Sequence, residues 1–113
     1  MVTQYIAEGA TMDTLSLVTR HAPGSEIVFD VILPFDGLPS DELQISSAAR
    51  ASSEDRGEPW MSFFQPGELA PRLLASGYNE VRTLSNEDAC QYYFGQPAGV
   101  APLRAWQLIS ATV

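Results

Sequence analysis

Ala22-Pro23-Gly24-Ser25-Glu26-Ile27-Val28-Phe29-Asp30-Val31-Ile32-Leu33-Pro34 is the stretch that decides the fold class. From Ile27 to Leu33 it is β-branched and almost continuously apolar, and Pro34 ends it. Runs of this kind belong to strands buried on both faces, as in parallel sheets flanked by helices. Upstream, Met12, Leu15, Val18 and Ala22 recur at three- and four-residue spacing, which predicts a helix over about 8–21. Glu8 and Asp13 lie near its start and Arg20 and His21 near its end, the signs a helix dipole favours. Pro23-Gly24 stops that helix. Helix, Pro-Gly turn and buried strand together make one unit of an α/β fold.

Downstream, Pro34 to Pro39 reads as a loop. Ser40 is positioned to cap a second helix running to about Ser53, with Asp41 and Glu42 in its first turn. The apolar face of that helix (Leu43, Ile45, Ala48, Ala49) is thin, which predicts a surface helix. A third helix starts at Pro66, carries Leu69, Leu73 and Leu74, and stops at Gly77. Pro71 disturbs its first turns. Tyr78 to Leu84 is a short strand. Ser85-Asn86-Glu87-Asp88 is a capping box that opens a fourth helix ending at Gly95. Gln96 to Pro102 is a Pro/Gly loop, and Trp106 to Val113 alternates as a final strand. The expected fold class is therefore α/β, with about three strands, flanking helices, and mixed patterns in the last two strands. One edge of Ile27–Leu33 lacks an obvious neighbour within the chain.

Between the second and third helices lies Gly57-Glu58-Pro59-Trp60-Met61-Ser62-Phe63-Phe64-Gln65-Pro66. A surface loop has little use for three large aromatics, each carrying about 150–250 Å² of surface. Trp60, Phe63 and Phe64 either fold into the core or line a pocket, and sequence alone leaves both readings open.

Composition narrows the function classes. The 113 residues fit one domain. There are 14 acidic residues against six basic ones, all six arginine, for a net charge of −8. That balance argues against nucleic acid and against an anionic membrane surface. The single Cys90 excludes an internal disulfide and is compatible with the cytosol. No signal peptide and no membrane-length apolar run is present, so the expected location is cytoplasmic. The apolar start Met1-Val2-Thr3-Gln4-Tyr5-Ile6 begins in mid-pattern, as if a segment preceded it.

The ordered set Val2-Thr3-Gln4-Tyr5-Ile6, Ala22 to Phe29, Gly57-Glu58-Pro59-Trp60-Met61-Ser62-Phe63-Phe64, Leu69 to Gly77 and Ala89 to Phe94 resembles a known family. It is similar to the C-terminal part of bacterial class I S-adenosylmethionine-dependent methyltransferases related to the leucine carboxyl methyltransferases. The likeness spans nearly the whole chain, and the Gly-Glu-Pro-Trp-x-Ser-Phe-Phe segment is its most specific piece. It implies a Rossmann-like sheet of seven strands whose last pair is antiparallel. Ile27–Leu33 would be the fifth strand, and strands one to four would lie before Met1. The family holds S-adenosylmethionine on a Gly-rich turn after its first strand and an acid after its second. This sequence has no such turn, so no cofactor-binding residue carries over. The chain is expected to be a single partial domain, 1–113, lacking the cofactor-binding half.

The resemblance places the aromatic loop on the acceptor side, which makes Trp60, Phe63 and Phe64 candidate substrate-binding residues. Gln4 and Tyr5 match a family motif just after the fourth strand and join them. Other residues have plainer readings. His21 is a helix-end cation before it is a catalytic base. Cys90 has no histidine near it in the pattern, and no group of residues has metal spacing. Asp30 interrupts an apolar strand; it is either a buried acid with a function or a strand-end acid facing a loop. Tyr92, Tyr93 and Phe94 face a substrate or dock a short helix.

Two functions follow as expectations. The first is a methyltransferase acting at an oxygen of a small-molecule acceptor, present here as a portion that is inactive alone and needs a complementing N-terminal half. The second is a non-catalytic remnant acting as an interaction module, with the edge of Ile27–Leu33 pairing with another copy or another chain.

Overall fold

A computed structural model describes residues 1–95 and 103–113. The expected Gln96–Pro102 loop and the side chain of Phe94 lie outside the described residues. The described elements are α1 (Glu8–Val18), β1 (Glu26–Ile32), α2 (Ser40–Asp55), α3 (Pro66–Ser76), β2 (Glu80–Ser85), α4 (Asn86–Phe94) and β3 (Trp106–Thr112). This is an α/β fold with the element order that the punctuation of the sequence predicts. No helix among the described residues is long and apolar enough to cross a membrane.

The sheet differs from the expectation at β1. Its order is β1-β3-β2, and β3 runs antiparallel to both neighbours. β1 and β2 therefore point the same way but do not touch, because the last strand is inserted between them. The Pro-Gly turn joins this ladder. Gly24, at a φ of 91° that suits glycine, donates its N–H to the Val113 carbonyl at 2.7 Å. The Val113 N–H returns a bond to the Ser25 carbonyl at 2.8 Å.

β1 is buried on both faces only at its carboxyl end, at Val31 and Ile32. Register places Ile27, Phe29 and Val31 on the same face as Ala111, Ile109 and Gln107 of β3. That face meets α1 and α3, and the core forms there from Leu15, Phe29, Val31, Phe64, Leu69, Leu73, Tyr78, Ile109 and Ala111. The opposite face carries Val28 and Asp30, and Val28 is 49% exposed. On that second face burial is confined to the carboxyl end, where Ile32 is fully buried; Val28 stays open because α1 and α3 both pack on the other side. The Tyr78 side chain crosses this core, and its hydroxyl donates to the Leu15 carbonyl at 2.6 Å. Burial pushes that hydroxyl's pKa above its ordinary value.

The helices depart from expectation in their ends and faces. α1 stops at Val18, before Arg20 and His21, whose N–H groups bond the Leu17 and Val18 carbonyls in a tighter turn. Those two residues lie past the helix rather than within its last turn. Pro39, not Ser40, holds the cap position of α2. The face α2 buries is polar: Glu42, Ser46 and Ser53 are inside, while Leu43 and Ile45 point outward. Hydrogen bonding fixes that orientation. Glu42 accepts the Arg104 backbone N–H at 2.9 Å, and the Ser53 hydroxyl donates to the Glu58 carbonyl at 2.6 Å. α3 and α4 follow the sequence closely. Pro66 opens α3 and Gly77 closes it, and the Ser85 hydroxyl accepts the Asp88 N–H at 3.1 Å to cap α4.

Candidate functional site

The free edge of β1 has partners within the chain. Val2 forms a parallel bridge to Asp30. The Asp30 N–H donates to the Met1 carbonyl at 3.0 Å, and the Thr3 hydroxyl donates to the Asp30 carbonyl at 2.9 Å. The Met1 ammonium reaches the Val28 carbonyl at 3.1 Å. Further along, the Ile32 carbonyl accepts the N–H of Phe64 at 2.9 Å. The edge expected to seek another copy or chain is thus largely occupied by residues 1–3 and by the aromatic loop.

Those contacts bring the candidate residues together. The Gln4 carbonyl accepts from the N–H groups of Met61 at 2.6 Å and Ser62 at 3.3 Å. The Ser62 hydroxyl donates to the Ile6 carbonyl. The segment carrying Gln4 and Tyr5 is therefore laced directly to the segment carrying Trp60, Phe63 and Phe64. Both meet beyond the carboxyl end of β1.

The three aromatics divide their roles. Phe64 is core, packed with Leu15, Phe29 and Val31 on the helix-covered side. Trp60 belongs to a separate cluster. Its ring meets Trp106 edge-on at 5.5 Å and Phe35 at 6.3 Å, and Phe35 meets Phe63 at 5.6 Å. The Arg50 guanidinium sits 4.8 Å above the half-buried Phe63 ring, within cation–π range. Tyr5 is largely exposed at the rim. Phe35, Arg50 and Trp106 were not singled out from the sequence. Phe35 carried a usable signal, since an aromatic in a proline-flanked loop repeats the anomaly of the Trp60 segment. Arg50 and Trp106 carried none, because each reads as an ordinary helix or strand residue.

Two buried polar groups without partners lie in the same region. Gln4 is 6% exposed and Trp60 8%, yet Gln4 Oε1 and Trp60 Nε1 have no hydrogen-bond partner among the described residues. Leaving such an atom unsatisfied costs about 1–3 kcal/mol. One acceptor and one donor in that condition are what a ligand or an ordered water would complete. Asp30 Oδ1 is also unpartnered, as are Thr11 Oγ1 in α1 and Ser46 Oγ in α2, so the condition is not confined to this region.

Desolvation raises the Asp30 carboxyl pKa, against smaller opposing effects from a backbone hydrogen bond and the Met1 ammonium. A raised folded-state pKa means that the fold prefers the neutral acid. The associated stability is present below the unfolded carboxyl's pKa and is lost as pH rises through the folded value. Asp30→Asn is accordingly expected to raise the melting temperature at pH 7. The gain should shrink on acidification and vanish below about pH 4. Thermal melts of both proteins across pH 3–8 check this; an equal difference at every pH would contradict it.

No protein-family model matches the chain, and neither a curated protein nor a solved structure matches it.

Proposed function

We propose that the chain is the C-terminal portion of an S-adenosylmethionine-dependent methyltransferase acting at an oxygen of a small molecule, and that it is inactive alone. One observation carries this reading. The Gln4–Tyr5 segment leaves a parallel bridge beside β1 and is hydrogen-bonded to the Trp60–Phe64 loop at the carboxyl end of that strand. A parallel neighbour ending there suits a sheet that continues beyond β1. The antiparallel β2–β3 pair suits the terminal strands of the resemblance.

The residues present do not fit the cofactor. The connections that lead from a strand into a helix are Leu33–Pro39, with Gly37 as its only glycine, and the direct step from Ser85 into α4. Neither offers the Gly-rich backbone that cradles a nucleotide. What this portion contributes is the acceptor side. Methyl transfer depends more on position and exclusion of water than on an elaborate acid–base set. The Trp60, Phe35 and Phe63 rings supply an aromatic wall, and Gln4 Oε1 and Trp60 Nε1 are an unpartnered acceptor and donor in the two segments laced together there.

The test is calorimetric. S-adenosylmethionine is titrated into the chain alone, then into its mixture with the polypeptide encoded immediately upstream of the Met1 codon. No heat is expected from the first and saturable binding from the second. Binding by the chain alone would overturn the division into halves, and a silent mixture would overturn the methyltransferase reading.

A further inference from the structure

We propose that the face of the sheet opposite α1 and α3 is a binding site for a small organic ammonium ion with an apolar or aromatic body. The site is built from β1, β2, β3 and α4 alone and does not depend on the methyltransferase reading. Register places Glu26, Val28 and Asp30 of β1 on this face with Ser110 and Leu108 of β3 and Arg82 and Leu84 of β2. A cavity of about 500 Å³ lies over it, floored by Val28, Leu84 and Leu108 and walled by Tyr92 and Tyr93. That volume is in the range of small-molecule sites. The two tyrosine rings meet edge-on at 5.0 Å, yet Tyr92 is 78% exposed. A short helix that docked its aromatic side into the core would not present them this way.

A second cavity of about 210 Å³ adjoins the first at Leu108 and is lined by Asp30, Asn86, Trp106 and Gln107. Asp30 is the carboxylate there, and its Oδ1 has no hydrogen-bond partner among the described residues. A desolvated carboxylate of this kind is stabilised by a cation or by a charge-assisted donor.

The surrounding charges favour the same occupant. Arg82 is the cation lining the larger cavity, and it is already answered by Glu80 at 3.4 Å and Glu26 at 3.9 Å. The Met1 ammonium bonds the Val28 carbonyl and only partly offsets Asp30. Among the described residues, an anionic ligand would therefore find only positive groups already answered by a carboxylate or a carbonyl. A divalent metal would require several oxygen ligands, and the smaller cavity offers one carboxylate. An ammonium group at Asp30, with its body lying over Leu108 toward Tyr92 and Tyr93, uses every feature. Trp106, which lines the smaller cavity with Asp30, is the ring placed for cation–π attraction, while Tyr92 and Tyr93 meet the apolar body.

The test compares two probes that differ only in charge and donor strength. The ¹⁵N-labelled chain is titrated with phenethylammonium chloride and with 2-phenylethanol, and amide shifts are followed. Saturable shifts at Val28, Asp30, Leu84, Tyr92 and Leu108 are expected with the ammonium, and binding of the alcohol about tenfold weaker or more. Asp30→Asn should abolish that preference while remaining folded, and Tyr92→Ser, at an exposed helix position, should weaken both probes. Equal binding of the two probes would overturn the proposal. So would non-saturating shifts, shifts away from this face, or a preference that survives in Asp30→Asn.

Discussion

Replacing Phe64 by alanine is expected to remove about 3–5 kcal/mol of stability, whereas the same change at the adjacent Phe63 removes about 1 kcal/mol. The two residues are neighbours in sequence and identical in chemistry, so the contrast isolates their surroundings. Phe64 is 3% exposed and packs into the cluster of Leu15, Phe29, Leu69 and Leu73. Its removal leaves a cavity walled by two helices and a sheet, which cannot collapse without moving the sheet. Phe63 is half-buried against Phe35 and beneath Arg50, and solvent can enter where its ring was. A domain of this size has about 5–15 kcal/mol in all, so Phe64→Ala brings it near unfolding at ordinary temperature. Urea unfolding of the two variants, followed by circular dichroism, reads the difference. Equal losses would mean that the loop is packed uniformly and that its division into core and wall is wrong.

Trp60→Ala is expected to lose about 3 kcal/mol, at the low end for a large buried aromatic. The discount arises because the substitution also deletes an N–H that is buried without a partner. Trp60→Phe, which keeps a ring and removes that N–H, should lose less. Because Trp60 and Trp106 meet edge-on at 5.5 Å, a double-mutant cycle between them should show coupling of about 0.5–1.5 kcal/mol. Denaturant unfolding of the two single variants and the double variant measures it. Additive losses would mean that the rings touch without holding one another. This cluster closes the carboxyl end of β1, so the same variants report how firmly the candidate acceptor wall is held.

Asp30 lies where the two site readings approach each other. Its backbone takes part in the parallel bridge that brings Gln4 to the aromatic loop. Its side chain lines the cavity shared with Trp106, at the same carboxyl end of β1 that the Trp60 cluster closes.

Much of the fold was legible because it is written in local chemistry. Pro23-Gly24, Pro66, Gly77 and Ser85 delimit elements by what their own backbones and side chains permit, and the structure places element ends at or within a few residues of them. The concentration of aromatics between Gly57 and Pro66 likewise signals a segment that must be packed. The candidate site was partly legible for the same reason: Trp60 stands out in a loop, while Trp106 at the head of a strand does not. The sequence by itself determined the order of helices and strands, the acidic balance and the loop that had to bury rings. Only the tertiary structure decided the rest. It inserted β3 between β1 and β2, left Val28 on an open face, turned Glu42 rather than Leu43 inward, and sent Phe64 to the core while Trp60 joined Phe35 and Trp106. Those outcomes depend on pairings between residues tens of positions apart, and no local pattern specifies which partner a strand edge, a carboxylate or an aromatic ring will meet.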